Sequence, residues 1–251
     1  MIEIRSIHKD FADREVLKGI TTSFPAGQTN LIIGQSGSGK TVLMKCIVGL
    51  LEPTKGQILY DGRDFVTMNK RERALLRREM GMIFQSAALF DSMSVLENVM
   101  FPLDMFSSMT LRERTKRAQQ CLDRVNLIDA QSKFPDELSG GMQKRVAIAR
   151  AIALNPKYLF CDEPNSGLDP KTSLVIDALI HDITVEYKMT TIMNTHDMNS
   201  VMGIGDSIIF IKEGRQEWTG DKTQVATSNN QALTDFIFAS DLLKKARQAF
   251  V

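Results

Sequence analysis

Eight consecutive residues of this chain have the types and spacing of a loop that binds nucleotide phosphates. Glycines at the first, fourth and sixth places let the backbone N–H groups curl closely around a polyanion. The lysine at the seventh place puts a positive charge between the β- and γ-phosphates, and the hydroxyl that follows is placed to bind Mg²⁺. The loop therefore predicts a nucleoside triphosphate site. Its residues are Gly34, Gln35, Ser36, Gly37, Ser38, Gly39, Lys40 and Thr41.

A pair of carboxylates further along the chain has the chemistry that phosphate hydrolysis needs. Asp162 and Glu163 end an apolar run that begins at Tyr158, and Pro164 follows immediately. The first carboxylate is placed to hold the Mg²⁺ shell, and the second to orient and deprotonate water. A positioned general base accelerates a reaction by roughly 10²–10⁴. The alternative is a pair of acids that merely ends a strand, but the phosphate loop upstream favours catalysis.

Composition places the chain among ordinary globular proteins. Its 251 residues are 43% hydrophobic and 24% charged, and the net charge of +1 creates no field that would attract nucleic acid. Cys46, Cys121 and Cys161 are widely spaced with no nearby His, which predicts reduced thiols in a cytosolic compartment. No apolar run approaches the ~20 residues that cross a bilayer, and no signal peptide is recognisable.

Short apolar runs predict the strands that carry these residues. Residues 2–33 read as strands and turns, and the last run ends at Gly34, where a helix over 42–50 follows. Further strands are predicted at 58–60, from Tyr158, at 191–194 and at 208–211. A buried strand, a glycine-rich loop and a helix form the setting that a phosphate loop requires.

Helices dominate the middle of the chain. Thr110 and Glu113 predict a capping box for a helix whose apolar stripe is Leu111, Ala118, Leu122 and Val125. A second helix is predicted after Ser139, and Asp169 with Pro170 predicts the start of a third that reaches about Tyr187. With no internal repeat or linker, this helical middle is an insertion within one α/β core.

The last predicted element is a tail over residues 229–251. Its apolar residues have near-helical spacing, so it packs either on this chain's own core or across to another subunit. Those residues are Leu233, Phe236, Ile237, Leu243, Ala246 and Phe250.

A segment between the phosphate loop and the carboxylate pair resembles a motif of a known family. Leu138-Ser139-Gly140-Gly141-Met142 resembles the signature sequence of ABC transporter ATPase subunits, and the resemblance runs from near residue 2 to about residue 220. In that family this segment caps the nucleotide of a second copy. The resemblance therefore implies a homodimer closed by an ATP sandwich. Ser139, Gly140 and Gly141 agree with the family's signature sequence. Met142 occupies its fifth position, where glutamine is usual, so the contacts made by this side chain are expected to differ.

Five other residues match the family's motifs by position. Gln85 matches the loop glutamine that links the γ-phosphate and Mg²⁺ to the membrane subunit, and His196 matches the switch histidine. Asp169 ends a stretch similar to the D-loop. Phe11 is placed to stack on adenine, beside Val16. Alone, Gln85 would be an ordinary loop residue and His196 an ordinary residue at the end of a strand. Because both occur in the family's order together with its other motifs, a role in the ATP site is favoured.

The resemblance also implies a fold and a set of ligands. The fold is α/β, a P-loop NTPase of the ABC type, with an N-terminal antiparallel β subdomain, a RecA-like core and an inserted α-helical subdomain. The ATPase domain would span residues 1–228 with the helical insertion at about 86–157. ATP and Mg²⁺ are the implied ligands. The implied catalytic residues are Lys40, Gln85, Glu163 and His196, and the implied metal ligands are Thr41, Gln85 and Asp162.

Residues 84–103 narrow the resemblance to one group. They are similar to the region after the loop glutamine in ATPases of Mla/Mce lipid-transport systems, and Met142 agrees with that group. This implies phospholipid transport that maintains outer-membrane lipid asymmetry. The implied partners are integral membrane permease subunits and further lipid-transport subunits, with the chain peripheral on the cytoplasmic face of the inner membrane.

Other functions compete with this hypothesis. Within transporters, the ATPase of an amino-acid importer or a lipoprotein-release system is the alternative. A regulatory, non-transport ABC ATPase has the same core, and co-purification with a permease distinguishes it. DNA-repair and translation ABC proteins carry two modules or long insertions, which this chain lacks. A GTPase would need Asn-Lys-x-Asp, but residues 69–72 end in Glu72.

Overall fold

The computed structural model describes residues 1–12 and 14–238. Ten strands and nine α-helices are assigned in these ranges. The strands are β1 (Ile2–Phe11), β2 (Arg14–Phe24), β3 (Gln28–Ile33), β4 (Lys55–Tyr60), β5 (Arg63–Asp64), β6 (Met80–Ile83), β7 (Tyr158–Asp162), β8 (Thr190–Thr195), β9 (Ser207–Lys212) and β10 (Arg215–Gly220). The helices are α1 (Lys40–Ile47), α2 (Lys70–Arg77), α3 (Val95–Phe106), α4 (Leu111–Arg124), α5 (Gly140–Ile152), α6 (Pro170–Tyr187), α7 (Met198–Ile204), α8 (Lys222–Thr227) and α9 (Gln231–Ile237).

The N-terminal strands form an antiparallel sheet in the order β2-β1-β4-β5. One face of this sheet is buried through Ile2, Ile4, Leu17 and Ile20. These residues pack in one cluster with Leu43 and other residues of α1. The sheet therefore covers the helix that follows the phosphate loop.

The second sheet has the order β10-β9-β3-β8-β7-β6. Strands β9, β3, β8, β7 and β6 run parallel, and β10 pairs antiparallel with β9 at the edge. Almost every residue of β3 and β8 is buried, as expected for parallel strands covered on both faces. The carboxyl ends of β3, β7 and β8 meet at one edge, where ligands bind in open α/β sheets.

The helix after the phosphate loop begins earlier than predicted. The sequence pattern indicated a helix over 42–50, but α1 spans Lys40–Ile47. Gly49 follows with φ of 75°, a left-handed conformation that ends helices. The apolar residues 48–50 that suggested a longer helix belong to the turn after it.

Helices α3, α4 and α5 lie between β6 and β7, and their contacts with one another form the helical insertion. The predicted capping box of α4 is confirmed, since Glu113 N–H donates to Thr110 and the Glu113 carboxylate accepts from Thr110 N–H. The predicted stripe is wrong at Leu111, which is 64% exposed, because the first turn of α4 projects away from the core.

The tail prediction divides at residue 238. Leu233 and Ile237 of α9 are buried, and the Phe236 ring stacks on Phe210 with centroids 5.2 Å apart. This part of the tail packs on the chain's own core. Leu243, Ala246 and Phe250 lie outside the described residues.

The three cysteines, which the sequence predicted as unpaired thiols, are free in the structure and are also buried. In the part of the chain that the structure describes, no helix has both the length and the apolar character to cross a membrane.

Candidate functional site

Lys40 lies at the centre of the phosphate loop. Its side chain is buried, and its ammonium donates to the carbonyl oxygens of Gly34 at 2.8 Å and Gln35 at 3.0 Å. Burial lowers the pKa of Lys40, while the negative charges of Glu163 and Asp162 raise it. Strands β3 and β7 flank β8 in the parallel sheet, so the loop after β3 that carries Lys40 and the two acids at the end of β7 lie at the same edge of the sheet.

The backbone of the loop has the left-handed conformations that glycine permits. Gly34, Gly37 and Gly39 have φ values of 152°, 79° and 112°. A Cβ on Gly34 would meet the Ile211 carbonyl oxygen at 2.2 Å, so the loop can lie this close to β9 only with glycine there. The Ser38 N–H donates to Gln35 O at 3.1 Å, and this donor therefore stays within the loop.

The N-terminus of α1 has no side-chain cap. Gly39 is the N-cap residue and makes no side-chain hydrogen bond, whereas serine, threonine or aspartate caps α3, α4, α5 and α6. The first N–H groups of a helix have no partner within the helix. In α1 these donors, with the positive end of the helix dipole, remain available to an anion.

A cavity of about 290 Å³ lies beside the loop. It is lined by Gln35, Ser36, Gly37 and Ser38, and by Val16 of β2. The Ser38 hydroxyl is buried and has no hydrogen-bond partner among the described residues. Such a group is costly to bury unpaired, and a phosphate oxygen would satisfy it.

The two acids lie at the carboxyl end of β7. Asp162 Oδ1 accepts a hydrogen bond from Asn194 Nδ2 at 2.8 Å, and Glu163 N–H donates to Asn194 O at 3.1 Å. Asn194 belongs to β8, directly opposite Asp162 in the parallel register. Glu163 has φ of 49°, a left-handed conformation that is uncommon outside glycine and frequent at functional sites.

His196 lies next to Glu163. Its Nδ1 is 3.3 Å from Glu163 Oε1, and the imidazole is 64% exposed while the Glu163 side chain is 23% exposed. Both residues line a second cavity of about 430 Å³, together with Ser166 and Gly167. The structure thus brings together an acid and a histidine that the sequence separates by 33 positions.

Gln85 contacts the loop after Glu163. Its Nε2 donates to Ser166 Oγ at 2.9 Å, and its backbone carbonyl accepts from the Lys144 ammonium. The following residues, Ala87 and Ala88, have φ of 61° and 50°, and Arg150 donates to both of their carbonyl oxygens at 2.8 Å. Helix α5 therefore holds the Gln85 loop in a conformation that alanine rarely adopts.

The signature-like segment begins α5. Ser139 is the N-cap, with its hydroxyl accepting from Met142 N–H at 3.3 Å, and both Ser139 and Gly140 are exposed. Gly141 is in contact with α6, because a Cβ there would lie 2.7 Å from Thr172 Cγ2. Met142 is half-buried against the core. The segment thus presents its serine and first glycine outward.

Asp169 caps α6 as predicted. Its carboxylate accepts from Thr172 N–H at 3.0 Å and from the Thr172 hydroxyl at 2.5 Å, and these bonds lower its pKa.

Phe11 does not join the residues around the loop. Its ring is 42% exposed, and the Lys9 ammonium lies 5.0 Å from the ring centroid. The cavity beside the loop is lined by Val16 without Phe11. The adenine-stacking role of Phe11 stays a prediction.

A comparison with protein families identifies the chain. A family model described as ABC transporter matches residues 17–166. The chain belongs to the ABC transporter family.

Two curated members of the ABC transporter family are similar to most of the chain. The probable ribonucleotide transport ATP-binding protein mkl of Mycobacterium leprae is 34% identical over 94% of this chain and 68% of that protein. The methionine import ATP-binding protein MetN of Clostridioides difficile is 36% identical over 94% of this chain and 74% of that protein. The chain spans 66% of the mkl protein of Mycobacterium tuberculosis.

Solved structures of ABC cassettes have the same fold. A dimeric post-hydrolysis state of the ATP-binding cassette MJ0796 bound to ADP and Pi matches 88% of this chain and 99% of that chain, with a TM-score of 0.79 and 33% identity. CbiO1 of Clostridium perfringens, part of the ABC transporter complex cbiONQ, matches 99% and 98%, with a TM-score of 0.85 and 28% identity. The predicted ABC-type fold is confirmed, and the chain is an ATP-hydrolysing cassette.

Three residues that were not predicted from the sequence make hydrogen bonds to the predicted site residues or to the loop beside them. Asn194, Lys144 and Arg150 were not predicted as site residues, yet they bind Asp162, the Gln85 carbonyl and the carbonyls after it. A signal for Asn194 did exist, since an asparagine directly after the apolar pair Ile192 and Met193 of a predicted strand needs a hydrogen-bond partner when it is buried. Lys144 and Arg150 had no such signal, because basic residues are common on helices.

The metal prediction fits a cation that arrives with the nucleotide. Among residues 1–12 and 14–238, no cluster of His, Cys, Asp and Glu could hold a metal ion by itself. Mg²⁺ in nucleotide sites uses one or two carboxylates plus waters and phosphate oxygens. Asp162, the Thr41 hydroxyl and the Gln85 amide oxygen are hard oxygen ligands of the kind it prefers.

Proposed function

We propose that this chain is the motor subunit of an ABC transporter, in which ATP closes two copies against each other and drives a membrane permease. One observation carries the proposal. The buried Lys40 and the uncapped N-terminus of α1 follow β3, and Asp162 and Glu163 follow β7, at the same edge of the parallel sheet. Positive and negative groups so arranged bind a triphosphate and act on its terminal bond.

Lys40 and the loop would bind the β- and γ-phosphates. The Gly34 and Gln35 carbonyls accept hydrogen bonds from the Lys40 ammonium and keep its charge inside the loop. Since the ammonium is already desolvated, it would meet a phosphate oxygen with little further loss of water. The unpaired Ser38 hydroxyl and the first N–H groups of α1 would complete the phosphate contacts.

Glu163 would act as the general base and His196 as its neighbour on the γ-phosphate. The 3.3 Å separation of His196 Nδ1 and Glu163 Oε1 lets the histidine orient the carboxylate. Mg²⁺, held by Thr41, Asp162 and Gln85, would neutralise charge that develops on the phosphate oxygens. Glu163 would accept the proton of the attacking water, as an ionised carboxylate within hydrogen-bond reach does.

The partner copy would complete the site. Ser139 and Gly140 are exposed at the N-terminus of α5, where the helix dipole favours an anion. On this proposal Ser139 and Gly140 bind the triphosphate that a second molecule holds. The dimeric state of the similar cassette MJ0796 supports this arrangement.

Exposed apolar side chains of the helical insertion support binding to a permease. They are Phe90, Met105, Phe106, Met109 and Leu111. Contiguous exposed apolar patches mark protein or membrane interaction sites, and four of these five side chains lie close together in the chain, within residues 105–111. On this proposal the chain is peripheral, on the cytoplasmic face of the inner membrane, and the Gln85 loop beside the insertion couples the nucleotide to the permease.

For the cargo we infer phospholipid, moved by an Mla/Mce-type assembly with further lipid-transport subunits. This inference is supported by the sequence of residues 84–103 and by Met142, which resemble the ATPases of Mla/Mce systems. An importer of a small polar substrate is the second candidate, favoured by the similarity to proteins named for methionine import and ribonucleotide transport.

The cargo is tested by extracting the tagged full chain from membranes in mild detergent and identifying its companions. The phospholipid proposal predicts co-purifying permease subunits and bound phospholipid above that of a mock extraction. A permease with a solute-binding protein and methionine-stimulated hydrolysis would instead establish the importer. A chain that never associates with any permease would contradict the motor proposal itself.

A further inference from the structure

One buried carboxyl behind the ATP site has no role in the chemistry described so far. Asp177 of α6 is 2% exposed. Its Oδ1 accepts from Asn165 Nδ2 at 2.6 Å, and its Oδ2 accepts from Ser200 Oγ at 2.7 Å. Asn165 Nδ2 also lies 3.3 Å from Ser200 Oγ, so the three side chains form a closed hydrogen-bonded triangle.

The triangle joins the two segments that carry the proposed catalytic pair. Asn165 follows Glu163 by two residues and precedes Ser166, the hydroxyl that accepts from Gln85. Ser200 lies in α7, four residues after His196. Asp177 thus connects the loop after Glu163 with the helix after His196 through one carboxylate.

The energetics of the triangle favour a positional role. A buried carboxylate is costly unless hydrogen bonds replace its water. Burial raises the pKa of Asp177, and the bonds from Ser200 and Asn165 act against that rise. Asn165 Oδ1 is buried and has no hydrogen-bond partner among residues 1–12 and 14–238, so the contact with Asp177 decides which way the Asn165 amide faces. An apolar residue would pack there at lower cost, but it could not orient Asn165 and Ser200 together.

We propose that Asp177 is a positioning residue for ATP hydrolysis, which holds Glu163 and His196 in register by bonding Asn165 and Ser200. The inference rests on the proposed roles of Glu163 and His196. Asp177 is buried and lines neither of the two cavities at the ATP site. It therefore governs the rate of the chemical step and leaves nucleotide affinity unchanged, since a misplacement of about 1 Å costs up to ~10² in rate.

Steady-state hydrolysis of the purified full chain, with thermal unfolding as a measure of folding, tests the inference. Asp177→Ala is expected to lower kcat by about tenfold or more while KM for ATP stays within about twofold. Asp177→Asn keeps an acceptor for Asn165 and a donor for Ser200, and is expected to retain most of kcat. Thr184→Ala is the matched control, because Thr184 is a buried, hydrogen-bonded residue of the same helix without contact with the triangle.

The outcomes separate this inference from the proposed function. Unchanged kcat in a folded Asp177→Ala variant would overturn it, as would an equal loss of kcat in Thr184→Ala or in Asp177→Asn. If Asp177→Ala fails to fold, Ser200→Ala and Asn165→Ala are measured instead. Each should lower kcat while KM for ATP stays within about twofold, and an unchanged kcat in both would overturn the inference. Full hydrolysis by Glu163→Gln would instead remove the proposed base, because that variant leaves the triangle intact.

Discussion

At the scale of single residues, we expect nucleotide affinity to depend most on Lys40. It is the buried cation of the loop, and its hydrogen bonds to Gly34 and Gln35 are the bonds a phosphate would replace. Hydrogen bonds to charged groups contribute roughly 1.5–3 kcal/mol each. Lys40→Ala is therefore expected to weaken ATP binding by about 10- to 100-fold, measured by titration with a fluorescent ATP analogue.

Lys40→Arg separates charge from shape in the same assay. The wide guanidinium cannot fit between two carbonyls that hold an ammonium, so affinity should fall although the charge is kept. Circular dichroism controls for folding, and Lys157→Ala, at a 63% exposed lysine side chain, controls for a general loss of charge. Equal affinity in folded Lys40→Ala and the unaltered chain would contradict the assignment of the phosphate loop.

The backbone conformation of this loop could be predicted from the sequence because its residues are contiguous, while its role in binding phosphate stays a prediction. A phosphate loop folds from eight neighbouring residues, so residue types and spacing carry its whole geometry. The Asn165, Asp177 and Ser200 triangle joins three elements, and no spacing in the sequence indicates that they meet. The position of Phe11 was also hard to predict. The sequence placed it beside Val16 at the nucleotide, but only Val16 lines the cavity next to the loop, because the relative position of the two side chains depends on how β1 pairs with β2.

At the scale of elements, the approach of α5 to α6 depends on one glycine. A Cβ at Gly141 would lie 2.7 Å from Thr172 Cγ2, and the Thr172 hydroxyl is fixed by Asp169. Gly141→Ala is expected to destabilise the fold by roughly 1–2 kcal/mol, because overpacking exceeds the gain in helix propensity. Differential scanning calorimetry should show Tm lowered by about 2–8 °C.

Two variants make this prediction specific. Gly140→Ala places its Cβ 3.5 Å from Leu168 Cδ2, an ordinary contact, and should leave Tm nearly unchanged. Thr172→Ser removes Cγ2 and keeps the hydroxyl, so it should restore Tm when combined with Gly141→Ala. Failure of that double variant to recover would show that the methyl contact is not the cause.

Helix starts with a side-chain cap were the most predictable elements, whereas the start of α1, which has no such cap, was predicted two residues too late. Caps such as Thr110 with Glu113, and Asp169 before Pro170, act through neighbours within three residues, and the structure confirms both. Burial along a helix was less predictable, as the exposed Leu111 shows, because it depends on which neighbours cover each turn. Strand order in the six-stranded sheet depends on long-range pairing that no local pattern specifies.

At the scale of the whole molecule, the proposed function makes the site of one copy incomplete. On that proposal Lys40, Glu163 and His196 act on the phosphates from one molecule, while the exposed Ser139 and Gly140 at the start of α5 serve the site of its partner. A second molecule would bring its own exposed segment to this site and take the first molecule's segment in return. This reciprocal arrangement is the central claim of the proposed function.

The most direct test is the mass of the Glu163→Gln variant in solution, measured by light scattering after size exclusion. Without hydrolysis, ATP should trap a dimer that is monomeric without nucleotide. Adding Ser139→Ala should return it to a monomer that still binds ATP, whereas Thr110→Ala, which removes the cap of α4 instead, should leave the dimer intact. A Glu163→Gln variant that binds ATP and stays monomeric would contradict the account.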